Sequence, residues 1–248
     1  MKHLIILHGW QSSKERWQKV KEEIERAGIR VIVPDIPGFK KETELNRPWN
    51  LNDYVNWFDR FIDDSKRACP ELVEGFFLLG HSFGGRMTIK IAARGQNKNL
   101  KGVILVSAAG IKKQPSLCDK TLIMLAKAIK ACRIERIPVL KQAFGLFRRF
   151  FYRYILGKTD YLRAQGFLKE TFKNVIDEDL SIFLDKIFLP TLIIWGREDK
   201  LTPLKNAHLM KEKIKNSEIK ILEDFGHDLN IKAPEKLAEE VIKFINSH

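Results

Sequence analysis

Gly80-His81-Ser82-Phe83-Gly84-Gly85 stands at the junction of two segments with different periodicity. Upstream, Gly75-Phe76-Phe77-Leu78-Leu79 is a short apolar run that reads as a fully buried strand. Downstream, Met87, Ile89, Ile91 and Ala92 lead through a helix expected to end at Arg94-Gly95, because glycine suits the left-handed position after a helix. A Gly-x-Ser-x-Gly pentapeptide between a strand and a helix puts its serine on a tight, strained turn. Gly80 and Gly84 fit such a turn because neighbouring backbone passes too close for side chains. Ser82 is then expected to project its hydroxyl from the strand end, beside a helix N-terminus that favours negative charge. A Gly-rich turn carrying an ordinary serine is the competing reading, and the flanking strand and helix count against it.

Outward from this turn, strand and helix alternate. Residues 3–7 read as a buried strand ending at His8-Gly9-Trp10. A helix is expected from Ser12 to Ala27, opened by a Ser12/Glu15 capping box and closed by Gly28, with Trp17, Val20 and Ile24 on one face. Arg30 to Pro34 is a second strand, leading into Asp35-Ile36-Pro37-Gly38-Phe39. Asn50 or Asn52 caps a helix whose inward stripe is Leu51, Tyr54, Val55, Phe58, Phe61 and Ile62. Leu100 to Val106 is another buried strand, and strands resume at Pro190–Gly196 and Ile219–Leu222, with helices starting near Pro203 and at Pro234. This order predicts an α/β fold, a mostly parallel sheet of about six strands covered by helices on both faces.

The rhythm breaks at Gly110. From 111 to 187 there are helical patterns and no convincing strand, so this segment is expected to be a helical cap, or lid, inserted into a core formed by 1–110 and 188–248. The segment holds sixteen Lys/Arg and eight Asp/Glu, and so supplies +8 of the net charge of +13. Leu122, Leu125, Ala126 and Ile129 give one amphipathic face, and Phe144, Phe147, Phe151 and Ile155 another, beside Arg148, Arg149 and Arg153.

Composition narrows the classes of function. A chain of 248 residues with 44% hydrophobic and 10% aromatic content can bury a sizeable core, which excludes global disorder. The apolar runs fall well short of the ~20 residues a membrane helix needs. The stretch from Met1 to Leu7 is too brief for a signal peptide, and Cys69, Cys118 and Cys132 lack disulfide or zinc spacing, so a reducing cytoplasm is expected. The positive charge makes an anionic surface worth considering, but no nucleic-acid motif accompanies it.

A serine hydroxyl needs a base, an orienter for that base, and donors for the developing oxyanion. Candidates follow the ends of predicted strands, where open α/β sheets place ligands. Among six histidines, His3 is inside a strand, His248 is terminal and His208 belongs to a solvated helix face. His8 precedes a glycine turn, and His81 points away from the reach of Ser82. His227, in Asp224-Phe225-Gly226-His227-Asp228, is the strongest base candidate. Asp199, in Trp195 to Pro203, is the candidate acid, with Glu198 and Asp179 as rivals. Asp35 precedes the serine and reads better as a turn residue.

Together these stretches resemble the α/β-hydrolase fold superfamily, in the branch of capped, carboxylesterase-like serine hydrolases. His8-Gly9-Trp10 is similar to its oxyanion loop, Gly80 to Gly85 to its nucleophile turn, Trp195 to Pro203 to its acid loop, and Phe225-Gly226-His227 to its histidine loop. The order Ser82, Asp199, His227 is that of the superfamily. The resemblance implies that Ser82 attacks, His227 accepts its proton and Asp199 fixes the imidazole tautomer. It also implies an oxyanion hole from the backbone N–H groups of Trp10 and Phe83. Two features depart from the superfamily's pattern. Only one strand precedes His8, and Asp35-Ile36-Pro37-Gly38-Phe39-Lys40 lacks the second glycine of the Asp-x-Pro-Gly-x-Gly loop.

Ester hydrolysis through an acyl-enzyme is the expected reaction, without metal or organic cofactor, on a small-molecule ester. A carbon–carbon hydrolase of the kind that acts on aromatic ring-cleavage products is the alternative, although many of these carry tryptophan after the histidine where this chain has Asp228. Thioesterase, lysophospholipase and acyltransferase chemistry share the machinery. Phe144, Phe147, Phe150, Phe151, Tyr152 and Tyr154 could line an acyl pocket or grip lipid beside the cap arginines, but packing of the cap on the core is favoured over membrane contact. A hydrolase fold serving as a ligand receptor or membrane module is the non-enzymatic reading.

Overall fold

Six apolar runs form strands that pair in parallel throughout, in the order β2-β1-β3-β4-β5-β6. They are β1 (His3–Leu7), β2 (Arg30–Ile32), β3 (Phe76–His81), β4 (Leu100–Val106), β5 (Thr191–Gly196) and β6 (Ser217–Leu222). The structure is a computed structural model that describes residues 1–40, 43–68, 74–112 and 166–248. Met1–Lys112 and Gly166–His248 form one compact unit. Its helices are α1 (Gln18–Arg26), α2 (Leu51–Ala68), α3 (Phe83–Arg94), α4 (Gly166–Ile176), α5 (Leu204–Lys213), the short α6 (Leu229–Lys232) and α7 (Pro234–Ser247).

Strand side chains alternate between two cores, as a period of two requires. Leu4, Ile6, Phe77, Leu79, Ile104, Val106, Leu192 and Ile194 pack with Trp17, Val20 and Ile24 near and on α1 and with Leu237, Val241 and Phe244 of α7. Ile5, Leu7, Phe76, Leu78, Val103, Leu105, Ile193 and Trp195 face α2, α3 and α5. Both faces of the sheet are therefore dry, which accounts for the near-continuous apolar runs. The expected α/β sheet of six strands is the one observed.

Local differences have local causes. The expected helix from Ser12 begins later, with a 3-10 turn at Lys14–Trp17 before α1. Ser12 N–H instead closes a turn on Gly9 O at 3.2 Å, and Gln11 adopts φ 48°. Ser13 stands at the N-cap in extended conformation without a side-chain cap bond, so the expected Ser12/Glu15 box does not form. At α2, Asn50 and not Asn52 is the cap: its side chain accepts from Asn52 N and Asp53 N, while Asp53 Oδ2 accepts in return from Asn50 N at 2.8 Å. β6 begins two residues early because Ser217 and Glu218 already pair with Thr191 and Leu192 of β5, and its polar residues alternate outward on this edge strand.

Of the segment expected as a cap, 111–112 and 166–187 are described, and they belong to the compact unit that holds the sheet. Phe172 and Val175 of α4, with Leu180, Leu184 and Ile187, are buried. Arg86 of α3 donates to Val175 O and Glu178 O, and Lys90 pairs with Glu178, which ties this return segment to the helix that follows Ser82. The amphipathic faces read at 122–129 and 144–155, with the aromatic and arginine cluster there, lie outside the described residues. Among the described residues, no helix is long and apolar enough to cross a membrane.

Candidate active site

The sheet reverses its winding between β1 and β3, which are neighbours with Leu7 opposite Gly80. A crevice opens at such a switch point, beyond the carboxyl ends of the strands. The His8-Gly9-Trp10 and Ser82 turns therefore lie side by side for topological reasons. Ser82 has φ 52° and ψ −111°, a conformation that costs a non-glycine residue of the order of 1–3 kcal/mol. Close packing enforces it. A Cβ on Gly84 would overlap the Leu7 carbonyl, and one on Gly80 would lie 2.5 Å from Gly84 O. Ser82 N–H donates to Val106 O at 3.2 Å, and Ser82 O accepts from Ala109 N at 3.0 Å, so the end of β4 holds the turn on both sides.

Asp199 and His227 meet from the ends of β5 and β6. His227 Nδ1 lies 2.8 Å from Asp199 Oδ2. The loops can approach because Gly196 lacks a side chain: a Cβ there would strike Phe225 O and Gly226 O. Asp199 Oδ1 accepts from Leu201 N and Thr202 N, both at 2.9 Å, and Oδ2 also accepts from Thr202 Oγ1 at 2.7 Å. Burial alone would push the Asp199 carboxyl up, but the His227 and Thr202 donors hold it below the usual carboxylate value. The site therefore keeps a buried negative charge against one imidazole edge.

The rivals are spent elsewhere. Glu198 is exposed, and Asp179 Oδ1 accepts from Ser181 N and Lys112 N. Asp35 pairs with Lys14 at 3.0 Å and Lys40 at 2.8 Å. Lys40, at the position of the missing second glycine, also reaches Glu15 at 3.3 Å and so closes the loop with ion pairs. Neither Trp10 N–H nor Phe83 N–H donates to an acceptor among the described residues. The Trp10 ring packs on Phe39, Phe83 and Phe172 with centroids 4.9, 5.2 and 4.9 Å away, an aromatic wall beside the serine turn. No direct bond joins the Ser82 and His227 side chains among the described residues.

His81 matters in a way its sequence neighbourhood does not advertise. Its Nε2–H donates to His227 O at 3.1 Å, and the two rings lie 5.0 Å apart. Burial, then repulsion from His227, pushes its pKa down to about 3, so it stays neutral and acts as a tether between the serine turn and the histidine loop. Thr202 joins the site without a motif of its own: its backbone N–H and its hydroxyl both donate to the Asp199 carboxylate three residues earlier. Among the described residues there is no cluster of His, Cys, Asp or Glu that could hold a metal.

Comparison with known proteins agrees with this architecture. The family model described as serine aminopeptidase, S33, matches residues 1–232. The Bacillus subtilis AB hydrolase superfamily protein YisY is 29% identical, covering 98% of this chain and 91% of that protein. Human monoacylglycerol lipase ABHD6 is 24% identical over 98% of this chain and 75% of its own length. The solved esterase EaEST of Exiguobacterium antarcticum superposes with a TM-score of 0.72 at 22% identity, covering 99% of this chain and 92% of that one. Six parallel strands wound around a serine turn, and a family match along almost the whole sequence, make this chain a member of the serine aminopeptidase S33 family, within the α/β-hydrolase superfamily of serine hydrolases.

Proposed function

We propose that the chain hydrolyses carboxylic esters through an acyl-enzyme on Ser82, with His227 as base, Asp199 as its orienter and the Trp10 and Phe83 N–H groups as oxyanion donors. The observation that carries this is the pairing of half-buried His227 with buried Asp199 at 2.8 Å, at the same end of the sheet as the strained serine. In this scheme the Ser82 hydroxyl attacks the ester carbonyl while its proton passes to His227 Nε2. Asp199 stabilises the imidazolium through Nδ1–H. The two N–H groups take the oxyanion as the carbonyl becomes tetrahedral, and the proton then leaves with the alcohol. Water repeats the steps on the acyl-enzyme and frees the acid and Ser82.

The aromatic wall of Trp10, Phe39, Phe83 and Phe172 favours an apolar acyl group, as does likeness to proteins named monoacylglycerol lipase and lipase. Chain selection is assigned to the insertion expected over 111–187. The test is turnover of p-nitrophenyl butyrate and of a monoacylglycerol. Ser82→Ala is expected to lose about 10⁴-fold or more in kcat with unchanged circular dichroism. Full activity in that variant would overturn the assignment.

A further inference from the structure

We propose that Thr202 is a positioning residue whose hydroxyl completes the hydrogen-bond set of the Asp199 carboxylate and fixes the His227 imidazole. The inference rests on the triad reading above and extends it to a residue outside the triad.

An ionised carboxylate offers about four lone-pair sites. In Asp199 the two on Oδ1 are taken by Leu201 N and Thr202 N, at 2.9 Å each. On Oδ2 the partners are His227 Nδ1 at 2.8 Å and Thr202 Oγ1 at 2.7 Å. The carboxylate is then filled, and His227 is its only titratable partner. Two of the four donors come from Thr202, one from its backbone and one from its side chain. Without the hydroxyl, Oδ2 has one donor and the carboxylate plane is free to swing about the two bonds to Oδ1.

The hydroxyl touches more than the acid. Thr202 Oγ1 lies 3.3 Å from His227 Nδ1 and 3.1 Å from Ser107 O. Ser107 is fully buried, has φ 43°, and directly follows Val106, whose carbonyl accepts from Ser82 N. One side chain therefore touches the acid, the base and the strand end that grips the nucleophile. The backbone of Thr202 is held independently, since Trp195 Nε1–H donates to Thr202 O at 2.7 Å. Replacing the hydroxyl by a methyl group removes Oγ1 and leaves the loop pinned at both ends.

The experiment compares wild type with Thr202→Val and Thr202→Ser by two readouts. One is kcat and KM on p-nitrophenyl butyrate. The other is the low-field ¹H resonance of the His227 Nδ1–H proton, assigned by its loss in His227→Gln. Thr202→Val is expected to lower kcat by about tenfold, the size of one hydrogen bond to a charged group, with KM within about twofold. Its Nδ1–H resonance should shift and broaden, and Thr202→Ser should restore both. A Thr202→Val protein with wild-type kcat and an unmoved resonance would overturn the proposal, as would a Thr202→Ser protein no better than the valine form. If the valine form does not fold, Thr202→Ala carries the same comparison. A wild type that turns over no ester would sink the esterase reading alone, because the resonance still decides the role of Thr202.

Discussion

Asp199 shows why the identity of a residue here depends on its neighbours. Its carboxylate is buried, yet donors from Leu201, Thr202 and His227 keep it ionised, whereas adjacent Glu198 is exposed and makes no contact with the imidazole. Asp199→Asn is expected to cost about 10⁴-fold in kcat, because the amide leaves the imidazole in the wrong tautomer. Glu198→Gln should stay within about twofold, and parallel kinetics on the two variants checks the contrast. The strand-end positions of Ser82, Asp199 and His227 were legible because each follows an apolar run and carries its own short motif, and Asp199 and His227 do pair. The part played by His81 was not: it acts through a backbone carbonyl 146 positions away, and no local pattern encodes such a bond. Nor was Thr202, because its spacing from Asp199 does not announce a hydroxyl bond to the carboxylate.

At the level of elements, the serine turn is a packing solution. α3 starts directly at Phe83 and presses Gly84 against the Leu7 carbonyl of β1, so strand, turn and helix fix one another. Gly84→Ala is expected to destabilise the protein by at least about 2 kcal/mol, through overpacking against backbone that cannot yield. Denaturant unfolding of the variant measures this. Element identity was readable where apolar periodicity was strong, as in α2, α3, β3 and β4. Boundaries failed where a polar residue had two possible partners. Ser12 and Glu15 have capping-box spacing, but the turn closed on Gly9 places Ser13 at the cap. The second glycine missing after Phe39 is answered by an ion pair from Lys40, which sequence showed only as a departure.

For the whole molecule, parallel winding brings together loops that lie far apart in sequence, and the buried histidines make that assembly sensitive to acid. His81 has a folded pKa of about 3 against an ordinary value of 6.5, and burial lowers that of His8 as well. Both groups bind protons more readily in the unfolded chain, so stability should fall as pH drops from about 6.5 towards 3. His81 alone accounts for about 2 kcal/mol of that loss by pH 5. The depressed Asp199 adds a further loss only below the usual carboxylate range. Unfolding free energy measured across this window should rise with pH, and His81→Gln should flatten the slope. The six-stranded α/β sheet was legible because its inner strands are buried on both faces and read as continuous apolar runs, while the edge strand β6 alternates. The approach of the β5 and β6 loops was expected from the resemblance, but its dependence on the absence of a side chain at Gly196 was not, because a single glycine carries no such message in sequence. Labelling by a fluorophosphonate followed by peptide mass mapping tests the proposal that this assembly makes Ser82 the nucleophile. A single adduct on the peptide containing Ser82, lost in His227→Ala, is the predicted result; an adduct on another residue, or none on folded wild-type protein, would contradict it.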